Sequence, residues 1–551
     1  MLTNTVIYLL FISVISLLRF RTKLDKFVVY ATPFACLYVF YLFCLDWISG
    51  SESVTSLIWD SSKSGDIKID IISNPANYRL IFPFFIITLI TLFNNLFFRF
   101  EDKKRIFSAI LTLNLLSLIM LICTNNLVEI ITFVFIIDIL SQVLIKDVYA
   151  SRRYSIYNLI ADMGLFLIMA MLKGKLETLE ISNISHYYET GRHRDFIMFV
   201  IMISLFIKFG FFLFQSYLLD LKNTKFHRLV LIPYLSTPMV ALILLMKFYP
   251  LLVVSPSFDL CLNIALGLTM LWGTIGTIVI NNLKEKNIYL NMIIISLIVK
   301  LLHSVDFIWN MDLSFMLILG FTFNICLYYI HYYLGRENNI LSVTNSNQSG
   351  LKIVTITYLI SGIAFFSEVP LITNDTNLIW IYTFMILFTL ASAHIFSQVL
   401  FLNNKQSNEF DFYPLVTLLI CIISDILIIN LHPNWLYIFS FAFSFLILIK
   451  LYPLKGVVSN ASLNSKLQKI DFFSHIYDIL IVQPVKIAGR WLTVLFDFMF
   501  IEKTITTMFS SLNGLTIRLF RKSARHWGVY YIFNIVLAVL IVLLCFFKEI
   551  K

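Results

Sequence analysis

Charge is scarce in this chain. Asp, Glu, Lys and Arg together make 13% of its 551 residues, about half of the roughly 25% that a soluble domain carries. Glycine is sparse as well, at 17 residues. The seven cysteines, Cys36, Cys44, Cys123, Cys261, Cys326, Cys421 and Cys545, are scattered, nearly all in or beside apolar runs, and no CxxC occurs. They read as small buried hydrophobes, with no disulfide, zinc or iron–sulfur cluster expected. The chain enters an apolar run at once, Leu2 to Leu18, with no basic presequence and no small-residue cleavage site in the reading. No basic patch interleaved with aromatics lies in a polar setting, so the net charge of +10 is not read as a nucleic-acid signal.

What is present is apolar. Hydrophobic residues make 59% of the chain and mean hydropathy is +0.85. No water-soluble fold hides that much apolar surface, so lipid must be the solvent for most of it. The abundance of Phe, Ile, Asn, Lys and Tyr, amino acids of AT-rich codons, hints at an organelle-encoded chain.

Runs long enough to cross roughly 30 Å of hydrocarbon recur throughout. They predict spans at 2–20, 27–47, 79–98, 105–123, 127–146, 154–172, 196–218, 229–252, 258–281, 287–303, 312–334, 353–372, 377–403, 413–431, 434–453 and 527–547. The chain is therefore an all-α polytopic membrane protein with about sixteen transmembrane helices. Its loops alternate in charge. The odd ones hold Arg19, Arg21, Lys23 and Lys26, then Arg99, Lys103, Lys104 and Arg105, then Lys146, Arg152 and Arg153, then Lys222, Lys225 and Arg228, then Lys284 and Lys286, and later Arg336, Lys352 and Lys405. The even ones are acidic or nearly neutral, with Asp46, Glu52, Asp60, Asp66 and Asp70 in the second and Asp306 and Asp312 in the tenth. The positive-inside rule places the odd loops on the matrix or cytoplasmic side and the N-terminus outside. Residues 460–525 hold no uninterrupted span. There Ile501, Ile505, Met508, Leu512, Leu515 and Leu519 form an amphipathic stripe opposite Lys503, Thr506, Ser510, Asn513 and Arg521. Such a helix lies along the membrane surface, with Pro484 bending it, before the last span inserts.

An ionisable group in the bilayer interior costs at least ~2.5 kcal/mol and needs a partner or water, so the few present are the functional candidates. Lys208, in ISLFIKFGFFLF, lies too deep in span seven to snorkel. Desolvation disfavours its charged form and a nearby carboxylate restores it, which makes it a natural proton carrier. Asp138, in FVFIIDILSQVLI, is mid-span and needs a lysine, water or a helix neighbour. Asp162, near Asn158 and Gly164, reads equally as a proton-path group or a helix-packing feature. Lys300 and His303 lie near the end of span ten, where interfacial snorkelling is the better reading. Glu368 sits beside Pro370, where a broken helix would expose it to water. Pro233 and Pro238 should interrupt span eight, and interrupted helices often line ion paths.

The order of these pieces resembles the chain-5 family of respiratory complex I (NADH:ubiquinone oxidoreductase), its largest antiporter-like membrane subunit. Asn126-Leu127 and Ser141 fit that family's fifth span. Asn158-Leu-Ile-Ala-Asp162-Met-Gly164 looks like its Asn-Arg-Ile-Gly-Asp-Phe-Gly, with Arg153 where an upstream lysine is usual. Lys208 and Asp220 stand at the spacing of its Lys-Ser-Ala-Gln-Phe-Pro-Leu-His-Thr-Trp-Leu-Pro-Asp, and Ile476 to Trp491 is similar to the stretch that opens its lateral helix. There are departures. The family's span-five glutamate falls on Phe135, with Asp138 one turn later; its span-eleven lysine falls on Asn324, a histidine one turn earlier on Gly320, and the span-eight histidine near Pro233.

The resemblance implies two antiporter-like five-helix repeats and a long amphipathic lateral helix before the last span. The divisions are then 1–123 (spans one to four), 124–252 (first repeat), 253–403 (second repeat), 404–455 (spans fourteen and fifteen), 456–525 (lateral helix) and 526–551 (anchoring span). It implies a proton-pumping subunit of the mitochondrial inner membrane, its N-terminus on the intermembrane-space side and its lateral helix on the matrix side. The chain itself would bind no cofactor: NADH, FMN, iron–sulfur clusters and ubiquinone would belong to other subunits. Its partners would be neighbouring antiporter-like subunits, accessory subunits and lipids such as cardiolipin. Asp138 would pair with Lys208, with Asp162 close by, while Asp220, Lys300, His303 and Glu368 are further proton-path candidates. Two other readings stay open: a free-standing multisubunit cation/proton antiporter subunit, and a structural strap that has lost pumping.

Overall fold

The apolar runs become helices, most ending within a few residues of the expected boundaries. The computed structural model describes residues 2–17, 22–50, 53–60, 67–97, 104–145, 147–176, 181, 192–253, 255, 257–280 and 282–333, with isolated positions at 358, 360–362, 365, 386–388, 391, 392, 395, 483 and 487. Residues 1–57 and 69–471 form one unit, which carries every helix named below; residues 58–68 and 472–551 form a second, of which little lies among the described residues. Spans twelve to sixteen as continuous elements, Glu368 and the expected lateral helix fall outside the described residues.

The helices are α1 (Leu2–Leu17), α2 (Thr22–Ser49), α3 (Pro75–Phe97), α4 (Lys104–Cys123), α5 (Leu127–Leu144), α6 (Val148–Leu176), α7 (Arg192–Phe209), the single turn α8 (Ser216–Leu219), α9 (Phe226–Leu235), α10 (Thr237–Leu252), α11 (Phe258–Val279), α12 (Leu283–Ser304) and α13 (Met311–Tyr333). A 3-10 turn, Asp220–Asn223, follows α8. Nine helical stretches among the described residues are long and apolar enough to cross a membrane, so the chain is a multi-pass membrane protein. The side-chain distribution agrees. On α1 and α2, Ile7, Phe11, Phe27, Tyr30, Phe34 and Tyr38 are exposed, while Thr5, Ser13, Ser16 and Thr32 are buried, Ser16 meeting Thr32 at 3.2 Å. Apolar groups outside and small polar groups at the helix contact are what a lipid solvent selects.

The second loop, read from sequence as an acidic connection, contains two paired strands, β1 (Ser53–Asp60) and β2 (Ile67–Ser73). The alternation of Ile67, Ile69 and Ile71 with Lys68 and Asp70 is a strand pattern.

Helix ends are closed by side chains. Asn126 caps α5 by accepting from Val128 N, and Asn282 caps α12 by accepting from Lys284 N. Cations close the opposite ends: Lys104 donates to Leu96 O after α3, Lys247 to Ile122 O and Thr124 O after α4, and Arg228 to Leu144 O after α5. Lys286, assigned from sequence to the ninth loop, instead lies in the first turn of α12 and is fully buried, because Asn282 starts that helix earlier than hydropathy suggested.

Two spans are broken inside the bundle. The interruption expected near Pro233 and Pro238 falls at Ser236, between α9 and α10. The second break contradicts the continuous span expected over 196–218: α7 stops at Phe209, Gly210 turns left-handed at φ 66°, Leu213 at φ 81°, and helix resumes only at Ser216. A Cβ on Gly210 would sit 2.3 Å from Leu218 Cδ1 and 3.0 Å from its Cγ. Left-handed strain of about 1–2 kcal/mol and overpacking of about 1–3 kcal/mol then add. Gly210→Ala is expected to destabilise the detergent-solubilised chain by about 2–5 kcal/mol, read as a lower thermal midpoint.

Candidate functional site

The break in α7 determines where its one deep charge lies. Lys208 is the penultimate residue of α7 and is fully buried. The carbonyls that end a helix carry partial negative charge, which favours a cation there. Lys208 O itself accepts from Tyr217 Oη at 2.9 Å, so the chain beyond the break folds back to satisfy it. Lys208 Nζ lies 2.9 Å from Asp138 Oδ2 on α5 and 2.7 Å from Asp162 Oδ1 on α6. Asp138 and Asp162 are 3% and 2% exposed, so this is a dry triad of one cation between two carboxylates. At an effective dielectric of about 20, each contact is worth about 6 kcal/mol of attraction, enough to offset much of the several kcal/mol that each ion loses on leaving water.

Close helix approach makes the triad possible. α7 packs along α6, and α6 along α5. Gly164, two residues beyond Asp162, leaves the space into which Ser204 of α7 fits: a Cβ there would meet Ser204 Oγ at 2.1 Å. Within the Asn158–Asp162–Gly164 stretch the glycine thus permits close packing and the aspartate pairs with Lys208. Phe135, where the resemblance places a glutamate, meets the Phe166 ring at 5.4 Å.

Three fully buried tyrosines surround the triad and connect the two breaks. Tyr217 meets Tyr154 edge-on and Tyr157 at a tilt, with centroids 5.6 and 5.0 Å away. Tyr157 Oη bonds Ser216 at the α7 break, and Tyr154 Oη meets Thr237 Oγ1 at 3.0 Å at the α9–α10 break. These hydroxyls were not singled out from sequence: in a chain with 26 tyrosines nothing marks them. Toward the loops after α5 and α7, Arg153 Nη1 pairs with Asp220 Oδ2 at 2.6 Å. Asp220 is thus a partner of Arg153 in this fold, and Arg153, read from sequence as a loop charge, is 6% exposed.

A cluster of neutral polar groups adjoins the second break. A cavity of about 20 Å³, lined by Pro233, Pro238, Leu218 and Asn291 among others, has room for about one water. Tyr234 Oη donates to Asn291 Oδ1 at 3.2 Å and accepts from Asn324 Nδ2 at 2.7 Å. Asn324 also donates to Gly320 O at 2.7 Å. The positions where the resemblance expects a lysine and a histidine therefore hold an amide and a close helix contact, since a Cβ at Gly320 would sit 3.1 Å from Tyr234 Oη. Lys300 and His303 are placed apart from the triad, on α12 against α11. Lys300 is 1% exposed and donates to Asn263 Oδ1 at 2.7 Å, so it is buried and paired instead of snorkelling.

Comparison with known proteins agrees with this architecture. Residues 115–289 match the family described as NADH:quinone oxidoreductase/Mrp antiporter, TM. That segment contains Asp138, Asp162, Lys208 and Asp220 and stops before Lys300. No curated protein sequence matches the chain. Among solved structures, the chain is similar to one from the Mrp complex of Dietzia sp. DQ12-45-1b, with a TM-score of 0.63 at 12% identity, over 89% of this chain and 63% of that one. The chain thus spans just under two thirds of the length of that solved chain, and the likeness establishes the fold.

Proposed function

We propose that this chain moves protons across its membrane through the Lys208–Asp138–Asp162 triad, as an antiporter-like subunit of a larger membrane assembly. The observation that carries this is a fully buried lysine held within 2.9 Å of one carboxylate and 2.7 Å of another at the point where α7 unwinds. Its formal charge is −1, from one ammonium and two carboxylates. Uptake of one proton makes it neutral, and neutrality is the inexpensive state in a dry interior. Asp138 Oδ1, buried and without a hydrogen-bond partner among the described residues, offers a seat for that proton. A change that draws Lys208 from one carboxylate leaves a lysine with less compensation, which then gives up its proton more readily. The tyrosine, serine and threonine hydroxyls around the two breaks provide donors and acceptors on the way out.

Support for the assembly comes from the matched segment, whose family covers both quinone oxidoreductases and multisubunit antiporters. Likeness to a chain of an Mrp complex favours a cation/proton antiporter assembly. The order of the sequence motifs favours the alternative, a membrane-arm subunit of complex I in the mitochondrial inner membrane, where redox centres lie in other subunits. Purifying the intact assembly separates the two: flavin absorbance and iron–sulfur signals accompany the chain in the second case and are missing in the first. Proton movement itself is tested in sealed vesicles holding the intact assembly, with a pH-sensitive dye inside. A dye response that is the same with and without the assembly overturns the reading.

A further inference from the structure

Away from the triad, a second titratable cluster lies at the end of the bundle where α11 begins and α12 ends. His303 Nε2 meets Asp259 Oδ1 at 3.0 Å. About one turn deeper, roughly 5–6 Å along the two helices, Lys300 Nζ donates to Asn263 Oδ1 at 2.7 Å. Burial is graded along this ladder: the side chains of Asp259 and His303 are 65% and 14% exposed, and Lys300 is 1% exposed. Rings close the surroundings. Phe258 and Phe307 lie 6.4 and 5.6 Å from the imidazole, and Tyr249 packs on Phe307 at 4.4 Å. The imidazole is thus a polar group set in an aromatic collar, with an exposed carboxylate on one side. Its other nitrogen, Nδ1, is buried and has no hydrogen-bond partner among the described residues. The titratable groups around it are Asp259 on α11, Lys300 on its own helix, Asp306 in the following turn, and Tyr249 on α10, which senses both Asp306 and Asp259.

A structural ion pair needs neither this gradient nor a free inner nitrogen. We propose that Asp259 and His303 form a proton-collecting mouth, through which protons pass between the water at this end of the bundle and the Lys300–Asn263 pair. A proton leaves the Asp259 carboxyl and bonds to His303 Nε2, giving the imidazolium. The Nδ1–H bond then breaks and that proton passes inward through a bridging water, which hands one of its own protons to a neutral Lys300 amine. The imidazole returns by a ring flip, and no co-reactant is consumed. The exposed carboxylate raises the local proton concentration, which matters most when bulk protons are few. This rests on the proposal that the chain conducts protons.

The test measures initial proton-transport rates against pH in vesicles of the intact assembly carrying Asp259→Asn or His303→Gln, each normalised to chain abundance. The expected result is a loss of about tenfold at alkaline pH that shrinks steadily towards acidic pH. A loss by one constant factor at every pH, or no loss at any pH, overturns the mouth. Lys208→Met in the same vesicles distinguishes the two proposals: transport that survives it removes the underlying function, whereas a silent triad with flat Asp259 and His303 profiles removes the mouth alone.

Discussion

Lys208→Met should abolish proton transport and also loosen the fold, and the two losses should be separable. The substitution keeps the apolar length of the side chain but leaves Asp138 and Asp162, 3% and 2% exposed, without their cation. Removing one partner of a buried ion cluster costs about 3–5 kcal/mol, because the charge that remains has lost both water and its counterion. Neutralising the carboxylates as well, in Lys208→Met/Asp138→Asn/Asp162→Asn, removes that cost, so the triple variant should regain most of the thermal stability. It should not regain transport, since no exchangeable charge remains at the α7 break. Thermal midpoints in detergent and dye-reported proton flux in vesicles read the two effects independently. A subunit acting only as a strap predicts normal flux in the triple variant, and that result would end the pumping proposal.

The reason Lys208, Asp138 and Asp162 could be read from sequence is the solvent. In a chain with 13% charged residues, one lysine in ISLFIKFGFFLF stands out because hydrocarbon charges so heavily for it. The same logic picked out Lys300 but misjudged its setting: its distance from the helix end suggested snorkelling, whereas Asn263 on α11 meets it at 2.7 Å inside the bundle. The break after Phe209 was hidden for the opposite reason. FGFFLF is as apolar as any spanning helix, and hydropathy averages over backbone angles; Gly210 was the only mark, and one glycine in a helix pattern is a weak signal. Arg153 and Lys286 were counted as loop charges because each lies close to a helix start, yet they are 6% and 0% exposed. The Lys208–Asp220 spacing was visible in the sequence, but the ion pair that Asp220 makes with Arg153 at 2.6 Å was not, because it joins residues 67 positions apart. The strands of the second loop alternate visibly in retrospect, but short alternating segments between strong spans are easily read as connection.

Asp138→Asn should also abolish transport, and here the fold should hold or gain. The variant leaves Lys208 paired with Asp162 at 2.7 Å, one cation with one carboxylate, in place of an excess negative charge. A neutral ion pair in a dry interior is less expensive than a charged triad, so no stability loss beyond about 1 kcal/mol is expected. The same neutrality removes the need for an added proton, and with it the site's capacity to load one. Loss of a positioned proton acceptor lowers rates by about 10²–10⁴, so flux should fall to background while the thermal midpoint stays level. The pairing of outcomes is what distinguishes a proton-loading triad from a structural ion cluster. A structural cluster predicts that Asp138→Asn and Lys208→Met differ only in stability, with flux following the amount of folded chain in both. If the Asp138→Asn chain is fully folded and pumps at the normal rate, the exchangeable proton does not reside on this triad, and the carrier must be sought elsewhere in the bundle.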